Sequence, residues 1–366
     1  METKMKTPLY EKHKALNARI VDFSGWEMPV QYAGILQEHQ AVRNHIGIFD
    51  VSHMGRVCVE GPQAEIFLDS LSTNKIMEKK DGTATYTVLT NNFGGCIDDV
   101  IIYRENANRF FIIVNAGNRF KDYEHLTLHA TNFDVTLSNR YDDEGIIAVQ
   151  GPKALTLIHQ LMPDTVDLKA FRFMTSTFNN TPLIVSRTGY TGEAGVELYA
   201  PNDILTELWD TLLDKGKDLG IQPVGLGARD TLRLEMGYAL YGHELTDTIA
   251  PTESVSAWTV KMNKEDFIGK DALLELENSP KKRHAYGAIL LDKGIAREGY
   301  IVKQDHKQIG YVTSGTHSPS LGKSIAILLV EHSLSEGDEV TIMIRNKPCQ
   351  AKITKLPFYT PGKSEK

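Results

Sequence analysis

The chain has 366 residues, 41% hydrophobic and 24% charged, a balance that suits a globular protein of two or three domains with ample core. A formal net charge of −7 argues against non-specific nucleic-acid binding, and no apolar run approaches the length of a membrane span. The opening METKMKTPLYEKHK lacks the apolar segment of a secretory signal and the Arg/Ser-rich stretch of an organelle presequence, so a cytoplasmic, prokaryotic protein is expected.

In chain order, the first organised feature is a repeat. CVEGPQAEIFLDSL (58–71) and AVQGPKALTLIHQL (148–161) align without a gap and share Val59/Val149, Gly61/Gly151, Pro62/Pro152, Ala64/Ala154 and Leu71/Leu161. Each predicts a strand, a Gly-Pro corner and an amphipathic helix. Proline fits the first helical turn because its missing N–H has no intrahelical partner there. A strand–helix unit used twice predicts an internally duplicated α+β core.

Between the two copies stands GGCIDDVIIY (94–103), a strand led in by glycines. Alternation puts Asp99 on one face with Ile101 and Tyr103, and Asp98 on the other with Val100 and Ile102. If both faces are covered, at least one aspartate is carried toward apolar surroundings, where an unpaired charge is costly. A buried acid needs a partner or a task, and on pattern alone a structural acid is the commoner case.

Further on, PNDILTELWDTLLDKGKDLG (201–220) predicts a helix capped by Asn202 or Asp203, with Ile204, Leu205, Leu208 and Leu212 as its apolar stripe and Gly216 as its end. GLGARDTLRLEMG (225–237) predicts another. ENSPKKR (277–283) reads as a linker whose Lys281, Lys282 and Arg283 form a solvated charge run. Beyond it, period-two alternation with Gly, Asn and Ser at the breaks predicts an all-β module, a small barrel or sandwich.

Several motifs fail on inspection. SLGKSIA would need a glycine at 317 to be a phosphate loop, His317 stands there, and a β-like run follows where a helix is required. GLGARD lacks the strand and acid of a dinucleotide loop. His125 and His129 have no HExxH glutamate and no evident third ligand, so they are expected to face solvent. Cys58, Cys96 and Cys349 are widely spaced and odd in number, which makes neither a disulfide framework nor a zinc site. No nucleophile elbow or Cys/His protease signature is present.

Together with GGCIDD, five stretches in order, DVSHMG (50–55), IVNAGN (113–118), SRTGYTGEAGVEL (186–198), GLGARDTLRLE (225–235) and TSGTHSPSLG (313–322), resemble the aminomethyltransferase, or T-protein, family of the glycine cleavage system. The resemblance runs almost end to end, from TPLYEKH (7–13) to KLPFY (355–359). It implies an α+β fold of three domains arranged like a cloverleaf around a folate site. The duplicated α+β core would span residues 1–280, as two intertwined α+β domains, and the C-terminal β-barrel-like domain residues 284–366.

The implied reaction moves the methylene carbon of an aminomethyl group, carried on the lipoyl arm of the glycine cleavage H-protein, to tetrahydrofolate. The products are 5,10-methylenetetrahydrofolate, ammonia and dihydrolipoyl protein. Tetrahydrofolate is thus a co-substrate, the H-protein is the direct partner, and the P-protein and L-protein are further members of the system. The carbon stays at the formaldehyde level and no carbanion forms, so neither flavin nor pyridoxal phosphate nor metal is expected. Positioning, proton handling and charge stabilisation remain for the protein.

By the same resemblance Asp99 matches the key acid of the family, close to the folate nitrogens. There it can orient the acceptor, stabilise a cationic iminium-like species or accept a proton. Asp98 becomes its structural neighbour. Glu197 matches a folate-contacting acid, apt because a carboxylate accepts two parallel hydrogen bonds from an amino-pyrimidine edge. Arg229 matches a ligand-contacting arginine, while Arg233, four residues on, is expected to pair with a carboxylate instead. Tyr86, Asn115, Tyr190 and Trp258 match residues lining the folate slot, and His53 is as well explained by structure. Three other readings fit less well, and one of them, a scaffold that only docks the H-protein, would not need Asp99. A folate-binding relative that assists iron–sulfur assembly would carry a cysteine where RTGYTGEAG has none, and the folate-dependent part of a sarcosine or dimethylglycine oxidase would bring a flavin domain.

Overall fold

Period-two alternation after residue 284 has a simple physical outcome: each strand offers one apolar face, and closing the sheet buries all of them together. In this computed structural model, which describes residues 4–362, the strands His284–Leu290, Lys323–Val330, Lys307–Ser318, Ile301–Gln304, Glu339–Ile344 and Lys347–Thr354 form a closed barrel in that order. Its interior is aliphatic, with Val302, Val312, Leu328, Val330, Ile342 and Ala351 essentially without exposed surface. The expected β module is a barrel.

The described chain divides into two compact units. The first comprises residues up to Phe67, Ile76–Thr85 and Val100–Asp230; the second comprises Leu68–Lys75, Tyr86–Asp99 and the chain from Thr231 on, including the barrel.

The first unit is built on a six-stranded sheet ordered Phe173–Phe178, Thr181–Ser186, Gly195–Pro201, Glu144–Gln150, Ile46–Asp50, Ile221–Pro223. Neighbours run antiparallel except the short last strand, which is parallel to Ile46–Asp50. The helices Ala154–Leu161 and Asn202–Lys215 contribute Leu157, Ile158, Leu205, Leu208, Trp209 and Leu212 to one apolar core with Ile147, Val149 and Leu198. A second sheet has the order Thr83–Thr90, Cys96–Asn106, Arg109–Val114, Gly55–Glu60, Thr136–Asn139. Its first two strands each begin or end across the division of the chain into units.

The two repeats take the same local form. Strand Gly55–Glu60 leads to helix Ala64–Leu71, and strand Glu144–Gln150 to helix Ala154–Leu161. At both corners the glycine has positive φ, 142° at Gly61 and 135° at Gly151. A Cβ would lie 2.3 Å from the Asp134 carbonyl oxygen in the first and 2.4 Å from the His45 carbonyl oxygen in the second. Only glycine allows both the backbone angle and the approach.

Local detail departs from expectation in three places. The helix Asn202–Lys215 has Pro201 at its N-cap and no side-chain cap. The Asn202 Nδ2 donates to the Asp142 carbonyl at 2.7 Å, while its Oδ1, the atom a cap would use, makes no hydrogen bond among the described residues. The other end is as expected: the helix stops at Lys215 with Gly216 as its C-cap, and a separate 3₁₀ turn, Lys217–Leu219, follows. Arg283 is not part of a solvated run: its Nε and Nη2 donate to the two oxygens of buried Glu253 at 2.9 and 2.6 Å, pinning the linker. His125 does not face solvent either. Its ring is half-buried against His129, centroids 4.7 Å apart, and burial pushes its pKa down to about 4.

Candidate active site

The strand Cys96–Asn106 separates the paired aspartates as alternation requires. Asp98 has no exposed surface and Val100 and Ile102 on its face are buried, whereas Asp99 keeps partial access. Glycine sets up the entry to this strand: a Cβ on Gly95 would sit 1.8 Å from the Asp247 carbonyl oxygen. Cys96 is buried with its thiol donating to the Ile249 carbonyl at 3.0 Å. Burial, then the charges of Asp99 and Asp98, hold that thiol well above its ordinary pKa, so it stays protonated and inert.

Asp99 is held from the neighbouring strand. The Tyr86 hydroxyl donates to Asp99 Oδ2 at 3.0 Å and also meets Ser256 Oγ at 3.2 Å. The Tyr86 ring stacks on Trp258, centroids 5.8 Å apart and planes 27° from parallel, and Trp258 is 59% exposed. A 3₁₀ turn, Ala257–Thr259, presents the indole; buried Thr259 donates its hydroxyl to the Ser256 carbonyl at 2.8 Å, and Lys261 Nζ donates to the Trp258 carbonyl at 2.8 Å. The second unit therefore gathers Tyr86, Asp99 and Trp258 into one patch: a carboxylate beside a flat, accessible aromatic surface.

In the first unit, Glu197 lies on strand Gly195–Pro201 and is half-buried. Its Oε2 accepts from the Thr188 hydroxyl and from the Tyr199 hydroxyl at 3.2 Å. Behind it the buried Tyr103 hydroxyl meets Tyr199 at 2.6 Å and Thr188 at 3.2 Å. Burial, followed by the Glu197 charge, pushes Tyr103 and Tyr199 above the ordinary tyrosine range, so both remain hydroxyl groups. Among the described residues nothing hydrogen-bonds Glu197 Oε1, which leaves one oxygen anchored and one available.

Arg229, on helix Leu226–Glu235, places its guanidinium 4.6 Å over the Tyr190 ring. Burial lowers its pKa and the Glu197 charge opposes that, yet the group stays cationic, as arginine does. No ion pair to a carboxylate within 4 Å accompanies it among the described residues. His53 is buried, edge-on to Phe23 at 5.6 Å, with Nδ1 lacking a hydrogen-bond partner. Burial and then the Arg229 charge push its pKa down to about 4, so it is neutral at pH 7. Asn115 is half-buried at the start of the 3₁₀ turn Ala116–Asn118. Arg233 pairs with buried Glu244 at 3.0 Å and donates to Ser314 Oγ at 2.8 Å.

The expected residues thus fall into two groups by unit: Tyr86, Asp99 and Trp258 in the second, Asn115, Tyr190, Glu197 and Arg229 in the first. Sequence reasoning missed Ser256, Thr188 and Tyr199. Tyr199 had a detectable signal, since it lies two residues after Glu197 and so shares its face of the strand. Among the described residues no three His, Cys, Asp or Glu side chains gather as a metal site, and no helix is long and apolar enough to cross a membrane.

The family model described as the GCVT N-terminal domain matches residues 9–264, and that of the glycine cleavage T-protein C-terminal barrel domain matches residues 284–360. The chain belongs to the glycine cleavage T-protein family. Curated T-protein relatives include the aminomethyltransferase of Chlorobium luteolum, 46% identical over 96% of this chain and 98% of its own length. Another is the aminomethyltransferase of Thermoanaerobacter pseudethanolicus, 43% identical over 98% of each. The crystal structure of glycine cleavage system aminomethyltransferase T from Bartonella henselae is similar throughout, with a TM-score of 0.90, 32% identity and 98% coverage of both chains. Family membership makes the chain an enzyme of the aminomethyltransferase class, and a T-protein is by definition one component of a larger system.

Proposed function

We propose that the protein transfers the methylene carbon of the aminomethyl group on lipoylated H-protein to tetrahydrofolate, with the P-protein and L-protein completing the system. In this reaction the carbon's bonds to sulfur and to the amino nitrogen break and two bonds to folate nitrogens form. The two protons released by those nitrogens are taken up by the thiolate and the departing amine, giving dihydrolipoyl protein and ammonia. No electrons change hands. Tetrahydrofolate supplies the nucleophilic nitrogens, so the chain needs no nucleophile of its own.

The observation that carries this reading is Asp99, an accessible carboxylate held through Oδ2 by the Tyr86 hydroxyl beside the exposed Trp258 ring. A fixed anion at that position favours cationic character at the reacting carbon and can hold a proton leaving a nitrogen. The Tyr86–Trp258 stack offers the flat apolar surface that a conjugated ring system prefers.

Glu197 fits the amino-pyrimidine edge of a pterin. Thr188 and Tyr199 donate to one of its oxygens, which fixes the carboxylate and presents the other oxygen as an acceptor for ligand N–H groups. Arg229 fits an electron-rich ring or an anionic group, since it has an aromatic neighbour and no carboxylate partner within the described chain. Tyr190 and Asn115 are assigned to the same ligand.

The test is ammonia release by the purified protein from aminomethylated, lipoylated H-protein with and without tetrahydrofolate. Release that depends strictly on tetrahydrofolate is expected. Release at the same rate without folate would overturn the assignment.

A further inference from the structure

The chain from Thr188 to Val196 is neither helix nor strand over most of its length, yet it must hold Tyr190 and deliver Glu197 in fixed positions. One side chain closes it. Gln150, the last residue of strand Glu144–Gln150, is 1% exposed. Its Nε2 donates to the Thr188 carbonyl at 3.1 Å and to the Val196 carbonyl at 3.2 Å, so both amide hydrogens are used, one on each arm of the loop. Its Oε1 accepts from the Thr191 hydroxyl at 3.0 Å, at the loop's tip.

The loop glycines are shaped to this amide. A Cβ on Gly189 would lie 2.0 Å from Gln150 Oε1, and one on Gly195 would lie 2.7 Å from Nε2. Arg43, from helix Ile35–Asn44, braces the far side by donating to the Thr191 carbonyl at 2.7 Å and to Glu193 Oε1 at 2.8 Å. Every residue that Gln150 grips neighbours a proposed ligand contact. Thr188 donates its own hydroxyl to Glu197, Val196 directly precedes Glu197, and Thr191 directly follows Tyr190.

We infer that Gln150 is a positioning residue for folate recognition: it touches no ligand, and it sets affinity by holding Tyr190 and the Thr188–Glu197 pair in register. The inference rests on the tetrahydrofolate reading above. Only an amide serves, because the two backbone carbonyls need donors while the Thr191 hydroxyl needs an acceptor. A carboxylate of the same shape would face both carbonyls without a proton.

The experiment compares wild type, Gln150→Glu and Thr191→Val, the last being an isosteric change that removes only the hydroxyl. Two buried hydrogen bonds lost from the loop should raise the Kd and KM for tetrahydrofolate about 10- to 100-fold in Gln150→Glu, since each 1.4 kcal/mol is tenfold. The kcat at saturating tetrahydrofolate should fall less than about threefold, and the KM for aminomethylated H-protein should not move, because binding of one ligand alone is altered. In Thr191→Val the tetrahydrofolate Kd should rise about three- to tenfold, and this variant carries the test if Gln150→Glu fails to fold. A merely structural Gln150 would lower Tm and the active fraction while leaving KM unchanged. A tetrahydrofolate Kd within about twofold of wild type in a folded variant would overturn the inference, since even one lost bond predicts more. Failure of the wild-type protein to bind tetrahydrofolate would overturn the functional reading instead.

Discussion

The Tyr86 hydroxyl donates to Asp99 Oδ2 over 3.0 Å, while Asp98, one residue earlier on the same strand, has no exposed surface at all. Adjacent acids of identical chemistry are thus divided by strand geometry into an interior group and an accessible one. This division, rather than the acid pair as such, gives Asp99 its assigned task.

Asp99→Asn keeps the shape of the side chain and removes its charge. The fold and tetrahydrofolate affinity should persist, while turnover falls about 10²- to 10⁴-fold, the usual worth of a positioned acid or base. Steady-state kinetics with aminomethylated H-protein, alongside calorimetry with tetrahydrofolate, checks both halves. Turnover at the wild-type rate would remove Asp99 from the chemistry.

Glu197→Ala should act chiefly on affinity. A charged hydrogen-bonding group in a half-buried site contributes about 1.5–3 kcal/mol, so the tetrahydrofolate Kd should rise roughly 10- to 150-fold. Isothermal titration settles this, and an unchanged Kd would take Glu197 out of the site.

His53 makes stability depend on pH. Its pKa is about 4 in the folded chain because burial disfavours the charged ring, against 6.5 in the unfolded chain. Between these values the unfolded state binds the extra proton, so the contribution of His53 is complete above pH 6.5 and is lost as pH falls toward 4. The loss amounts to about 2 kcal/mol between pH 7 and pH 5. Urea denaturation of His53→Gln at the two pH values should show a gap smaller by that amount than in wild type. An equal gap would mean that His53 does not titrate on unfolding.

Arg283→Met should destabilise without touching the active site. Glu253 is 3% exposed, and although burial alone would raise its pKa, the Arg283 hydrogen bonds bring it below the ordinary value. Without the guanidinium that buried carboxylate keeps only the backbone N–H groups of Ala250 and of position 283 as donors, a loss of about 3 kcal/mol. Thermal unfolding should register the loss, while the tetrahydrofolate Kd stays near wild type. A Tm equal to that of wild type would show that the pair contributes nothing net.

Much of the architecture is written in local patterns. Period-two alternation after residue 284 specifies strands with one apolar face, and the Gly-Pro corners at 61–62 and 151–152 specify a strand–helix unit twice over, because near neighbours alone decide backbone angle and side-chain face. The same parity places Asp98 and Asp99 on opposite faces, but which face is covered depends on chain far away. Only the N-cap of the helix Asn202–Lys215 differs, since Pro201 takes that position and the Asn202 amide turns to the Asp142 carbonyl, an acceptor that local sequence does not announce.

The chain by itself determined the elements, their apolar faces and, through six ordered stretches, the residues worth suspecting. Tertiary structure alone decided that Asp99 is the accessible acid, that Arg283 is paired to Glu253, and that Gln150 closes the loop bearing Tyr190. The reason is physical. Propensity and periodicity are short-range, whereas burial and hydrogen-bond partnership are settled between segments that only folding brings together.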